Sequence, residues 1–393
     1  MPKQTRFHAR EPIVPERFKE ARLARGMTTQ ELAEKIDVSR QSISKYELGI
    51  SEPQSSTINI ISECLDVPIS FFRKPLSVPL TRSTTFYRSL KTNAARAKDV
   101  MSVLSDWASQ IASLITESII FPDVDMPLLP VQFETQESYS YDDIEQITQS
   151  VRDAWKLGGS PLPNLAHTLE SHGIVIATIK TGFTETDACS SIVNGRPFIF
   201  LDIQKECAVR TRFNLAHELG HLILHNNIQQ SDLEDKKLLD RIEREANQFA
   251  SCFLLPCDPF LLDVHSTSLQ AFMPLKKKWK VSIQAMVYRC KELGIFSENQ
   301  MIYIQKQISA KRWRKSEPFD NEWPCEKPVI LSKSVQMLIE RGDYTKDQFL
   351  DEFRLSPADV EGICNLPHGF FSSALTNDAV VIDFSTKQII NNK

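Results

Sequence analysis

Residues 213–225 read FNLAHELGHLILH, an apolar helical pattern that carries His217, Glu218 and His221 in the order H-E-x-x-H. On an α-helix, positions i and i+4 share a face, so both imidazoles can reach one metal ion. The other positions are Phe213, Leu215, Ala216, Leu219, Leu222, Ile223 and Leu224, so this is a core helix. Burying two histidines and a glutamate in such a helix without partners is costly. Reading them as ordinary helix residues leaves that cost unanswered, whereas a metal ion answers it. Neutral imidazole is a good zinc ligand, and a catalytic zinc site takes three protein ligands and a water. Glu218 would stand beside that water, whose pKa zinc lowers to about 7. It could take the water proton and return it to a leaving amine. His225, one turn further on, is expected to support the site or face solvent rather than ligate.

The third ligand should come from the downstream block DRIEREANQFASCFLLP, which offers Glu243 and Glu245. Glu243 is favoured because E-x-x-A-N resembles the E-x-x-[AS]-[DN] arrangement of gluzincin metallopeptidases; Glu245 is the alternative. Asn247, one turn after Glu243, is placed to orient a ligand histidine. Cys252 and Cys257 are expected to be packing residues. The eight cysteines are scattered without a C-x-x-C, as in a reduced, cytoplasmic protein. No run of 18 apolar residues suggests a membrane span, and no glycine-rich phosphate loop occurs.

The N-terminal region has a different grammar. Residues 16–72 read as short helices. One in ERFKEARLAR ends at Gly26, and a capping box at Thr28–Glu31 opens a second over 28–36. Ser39 caps a third over 39–48, and Ile58, Ile61 and Leu65 set the core face of a fourth. In a helix-turn-helix the second and third of these would cross the DNA backbone and enter the major groove. Arg40 can bridge guanine O6 and N7, Gln41 can bridge adenine N6 and N7, and Lys45 can reach a base or phosphate. Gln30, Ser39 and Ser42 suit the phosphate side of the interface. The first 50 residues hold 10 Lys/Arg against 7 Asp/Glu, a modest positive balance in a chain of net charge −4. A helical interaction module that binds no DNA is the plainer alternative.

Two resemblances follow from these motifs. Residues 14–72 resemble the XRE/Cro-type helix-turn-helix. R-F-x-x-A-H-E-L-G-H-L-x-L-H (Arg212 to His225), followed by E-x-E-A-N-x-F-A-x-x-x-L-x-P (Glu243 to Pro256), resembles the ImmA/IrrE metallopeptidases over roughly 140–300. That resemblance implies zinc held by His217, His221 and a downstream Glu, and a substrate that is itself a helix-turn-helix repressor.

The expected fold is multidomain: an all-α helix-turn-helix domain (1–75), a basic linker and connecting helix (76–130), an α+β zincin-like, gluzincin-type peptidase domain (131–310) and a mixed α/β C-terminal sensing or interaction region (311–393). The expected function is a DNA-binding transcription regulator with a zinc-dependent endopeptidase that cleaves itself or a partner repressor on a signal. The alternative is a non-proteolytic repressor or antitoxin-like regulator that uses the peptidase fold as a ligand sensor. Expected partners are operator duplex, a repressor as substrate and a second copy of the chain, with no membrane. Single-stranded DNA is a candidate activator, because 73–98 carries seven basic residues and no acidic one, and 276–315 carries eleven against Glu292 and Glu298. A solvated linker and surface lysines beside core aromatics are the plainer readings. The strand 196–203 is expected to pair with an extended substrate.

Overall fold

A computed structural model describes residues 11–76, 80–87, 94–129, 138–183, 188–203 and 207–372. Four helices open the chain: α1 (Glu16–Ala24), α2 (Thr29–Lys35), α3 (Arg40–Glu47) and α4 (Ser55–Leu65). Their ends follow the sequence signals. Thr28 and Glu31 form the capping box of α2, and Ser39 accepts the Ser42 N–H at the start of α3. Gly26 ends α1 at φ +62°, where a side chain would be strained. Phe18, Ala21, Ile43, Ile58, Ile61 and Leu65 form the small core. A buried ion pair ties α1 to α3: Arg22 Nε and Nη2 meet Glu47 at 2.6 and 2.9 Å.

The rest is organised around one sheet. Its strands are β1 (Phe86–Tyr87), β2 (Val175–Ile179), β3 (Ala188–Val193) and β4 (Arg196–Asp202), in the order β1-β3-β4-β2. β3 and β4 form an antiparallel hairpin through Asn194–Gly195, both at positive φ as a two-residue primed turn requires. β2 joins β4 in parallel, and β1 joins β3 antiparallel. β4 is therefore an inner strand, so a substrate cannot add to it as expected; the strand beside it on the other side is β3, whose outer edge the short β1 covers.

The two sheet faces serve two cores. Ile174, Ile176, Ala188, Ile199 and Leu201 pack with α6 (Tyr141–Ala154), α7 (Leu165–Ser171), α8 (Ala208–Leu224) and α9 (Lys236–Leu254). Helices α10 (Cys257–Asp263), α11 (Phe272–Trp279), α12 (Ile283–Glu292) and α13 (Glu298–Ala310) complete that core. Val175, Ala177, Ile179, Cys189, Phe198 and Phe200 face the other way. They meet α5 (Ala94–Thr116), α14 (Ile330–Glu340), α15 (Lys346–Phe353) and α16 (Pro357–Ile363), in one cluster with the N-terminal helices. Bonds reinforce this: Arg25 pairs with Asp359 at 2.7 Å, Trp107 of α5 donates to Glu20 at 2.6 Å, and Thr178 of β2 donates to the Gly362 carbonyl.

The C-terminal region is thus not a free-standing unit. Its described part is helical and shares a core with the helix-turn-helix, while the strand-like 379–385 lies outside the described residues. Nor does the chain change bodies at 310. The irregular stretch 311–329 is a strap on the second core. Glu317 accepts the Ile283 and Gln284 N–H groups at 2.6 and 2.9 Å, and Glu326 accepts those of Leu165 and Ala166 at 2.6 and 3.0 Å. Each carboxylate satisfies the open amides of a helix N-terminus, where negative charge is favoured.

Candidate metal centre and nucleic-acid interface

Helix α8 is buried along almost its whole length, His217, Glu218 and His221 included. Helix α9 crosses it closely at Gly220. A Cβ there would lie 3.1 Å from the Phe249 Cβ, so the glycine within H-E-x-x-H admits the second helix. The crossing brings Glu243 to the histidines. Its oxygens lie 3.6 Å from Nε2 of His217 and 3.6 Å from Nε2 of His221. The three ligand atoms fall within 4.8 Å of one another.

The neighbours set the tautomers. Asn247 Nδ2 donates to the Glu243 carbonyl at 2.7 Å, which turns its Oδ1 to His217 Nδ1 at 3.1 Å. His217 therefore carries its proton on Nδ1 and presents a lone pair at Nε2. On the other side His225 Nε2 donates to Glu245 at 3.0 Å, and His225 Nδ1 faces His221 Nδ1 at 3.0 Å. Burial pushes the His225 pKa down to about 4, outweighing the Glu245 bond that raises it, so the ring is neutral. Its Nδ1 accepts from His221, whose Nε2 also turns a lone pair inward. The two Nε2 atoms face each other at 3.0 Å. Two lone pairs and a carboxylate converging in a buried site suit a cation, and an imidazole–carboxylate donor set suits zinc. Glu245, the alternative ligand, holds His225 instead and accepts the Tyr139 N–H at 3.2 Å.

Glu218 projects beside this cluster, and Ser190 of β3 donates to its Oε2 at 2.6 Å. Ser190 has no motif of its own in the sequence, because β3 (ACSSIV) is too short and too polar to stand out as a strand. The V-N-G-R turn at 193–196 is the signal that would have found it. A ring from the linker closes the other side: Phe86 stacks on His221 at 4.8 Å between centroids with 3° between planes.

The residues assigned to DNA form the opposite kind of surface. Gln30, Ser39, Arg40, Gln41 and Lys45 are exposed and Ser42 is half-buried. Ser39 and Ser42 hydroxyls bond each other at 2.9 Å, and Gln30 donates to Glu34 at 2.6 Å. Helix α3 presents Arg40, Gln41 and Lys45 to solvent while its Ile43 faces the core.

Several basic residues of the two stretches are neutralised within the protein. Lys276 is fully buried between Glu317 at 2.8 Å and Asp320 at 2.5 Å, so it is unavailable to nucleic acid. Arg289 is likewise buried against Glu145 at 2.7 Å, and Lys278 pairs with Asp263 at 2.7 Å. In 73–98, Lys74 donates to the Phe353 carbonyl and burial lowers its pKa to about 8. Arg82 pairs with Asp106 and Arg96 with Glu31, while Arg88 and Lys91 lie outside the described residues.

Comparison with known proteins agrees with this division. Residues 18–72 match the helix-turn-helix family model, and residues 169–291 match that of the IrrE N-terminal-like domain, a peptidase family. An HTH-type transcriptional regulator of Rickettsia conorii is 43% identical over 51 residues, 13% of this chain and 41% of that protein. One from Rickettsia prowazekii is 43% identical over 51 residues, 13% of this chain and 39% of that protein. An SPbeta prophage-derived HTH-type transcriptional regulator of Bacillus subtilis is 36% identical over 59 residues, 15% of this chain and 55% of that protein. The chain thus spans about half the length, or less, of these relatives. It joins an XRE-type helix-turn-helix domain to a peptidase domain of the ImmA/IrrE type. No helix among the described residues is long and apolar enough to cross a membrane.

Proposed function

We propose that this chain is a transcription regulator that binds operator duplex through α3 and carries a zinc-dependent endopeptidase, which cuts itself or a partner repressor when a signal arrives. The observation that carries the peptidase reading is the convergence of His217, His221 and Glu243 in a buried site with Glu218 beside it. Bound there, zinc would supply Lewis acidity to a water and to the substrate carbonyl. The chain's own residues do the rest. Asn247 and the His225–Glu245 pair hold the two ligand imidazoles in their tautomers. Ser190 fixes the Glu218 carboxylate, which takes a proton from the attacking water and gives it to the leaving amine.

The operator reading rests on exposed Arg40, Gln41 and Lys45 on a helix whose other face is core. A second copy of the chain would supply the second half-site reader. Leu48 and Ile50, 71% and 67% exposed just after α3, are apolar groups that such a copy could cover. The test is a proteome-derived peptide pool incubated with the zinc-loaded chain and followed by mass spectrometry, with and without operator duplex. Bonds cut by the wild type and spared by Glu218→Gln support the reading. An identical cleavage pattern in the two proteins contradicts it.

A further inference from the structure

The segment before the connecting helix is laid along the edge of β3. Asn194 N–H donates to the Thr81 carbonyl at 2.8 Å, and Ser83 N–H to the Ile192 carbonyl at 2.8 Å. Arg82 pairs with Val193, Phe86 with Ser190 and Tyr87 with Cys189. From Arg82 to Phe86 the linker advances four residues while β3 moves three, so the linker bulges by one residue. The bulge turns outward to the loop after α8: Thr84 Oγ1 donates to the Ile228 carbonyl and Thr85 N–H to Gln230 Oε1 at 3.1 Å. Thr84, Thr85 and Phe86 are buried as a result. The partner of Phe86 on β3 is Ser190, the residue that holds Glu218, and the Phe86 ring lies flat on His221. Whatever pairs with β3 at Ser190 is therefore held against both the general base and a metal ligand.

We infer that the β3 edge is the groove for an extended peptide, that Arg82–Tyr87 occupies it as a built-in competitor, and that a substrate must displace this strand. This rests on the peptidase reading and adds its regulation and a substrate preference. The incoming peptide adds antiparallel to β3 and carries an aromatic side chain in the place of Phe86, because a flat ring complements the face of His221 that Phe86 now covers. The strand is anchored away from the groove as well. Arg82 bonds Asp106 at 2.7 Å and Ser105 at 3.0 Å on α5. Arg96 of the same helix bonds Glu31 and the Gly26 carbonyl of the helix-turn-helix. Movement of α5 against the N-terminal domain would pull on the strand.

The test measures binding rather than hydrolysis, in the full-length chain with Glu218→Gln. The probe is a fluorescent peptide of the sequence Leu80–Tyr87, followed by anisotropy. Adding Ser83→Pro and Phe86→Ala should strengthen peptide binding at least tenfold by emptying the groove. Phe86→Ala alone should give a smaller gain, and covers the case in which the double variant folds poorly. A peptide with alanine at the Phe86 position should bind the emptied groove at least tenfold more weakly. Equal binding before and after displacement, in variants that melt like the parent, would overturn the inference and leave the peptidase reading standing. Failure of that reading would appear separately, as unchanged peptide-pool cleavage on Glu218→Gln.

Discussion

Helices α3 and α8 treat their polar residues in opposite ways. On α3 the base-reading candidates Arg40, Gln41 and Lys45 are exposed, so a nucleic acid can exchange its own hydration for them. On α8 the polar groups are buried and bonded to β3, α9 and one another. A reading head needs only one well-fixed face, and Ile43 with the Arg22–Glu47 pair provides it. A hydrolytic centre needs each group held in one tautomer and one direction, so its residues are surrounded. The lesson is about tolerance: a change at the exposed positions Arg40, Gln41 or Lys45 of α3 should touch binding alone, whereas a change near α8 should propagate along the bonded chain Glu245–His225–His221.

The largest effect should come from the centre. Glu218→Gln is isosteric and should lower cleavage on the order of 10²–10⁴-fold, measured by mass spectrometry of the peptide pool, with zinc retained. Zinc lost together with activity would show that Glu218 ligates rather than acts as base. Next in size is the pair that holds the head together. Glu47→Ala leaves Arg22 buried without its partner, and should cost about 3 kcal/mol in denaturant unfolding of the N-terminal region, with zinc content unchanged. A matching loss of zinc would mean that the two functions do not separate.

The neighbours of the ligands should give smaller, graded losses. Asn247→Ala should weaken zinc roughly 10–100-fold by freeing the His217 tautomer. Glu243→Gln should weaken it more than Glu245→Gln, which acts only through His225; the reverse order would exchange their roles. On the DNA side, Arg40→Ala should cost about 1–3 kcal/mol and relax preference at one base pair of a selected operator. Gln30→Ala should weaken all sequences slightly and alike. Indifference of operator binding to Arg40, Gln41 and Lys45 together would remove α3 from the groove.

These same regions differ in how far the amino-acid sequence alone specifies them. The helix-turn-helix is almost wholly local: its caps lie within three residues of what they bond, and the apolar spacing sets the core. The metal centre is half local. His217 and His221 share one helix, but choosing Glu243 over Glu245 depends on how α9 crosses at Gly220. Lys276 reads as part of a basic run because its partners lie 41 and 44 residues further on, where no periodicity links them. Phe86 carries no signal at all. A two-residue strand is defined only by β3, a hundred residues away, so the linker reads as a linker. The C-terminal helices are visible as helices, yet their docking on the N-terminal core depends on contacts such as Arg25 with Asp359, 334 residues apart.

Zinc affinity tests the centre of this account most directly. Competition with a chromophoric chelator on the purified full-length chain should give one tight zinc per chain. His221→Ala should lose it while the chain keeps its helical content. A His221→Ala chain that still binds one zinc with wild-type affinity would contradict the assignment of His217, His221 and Glu243 as the metal site.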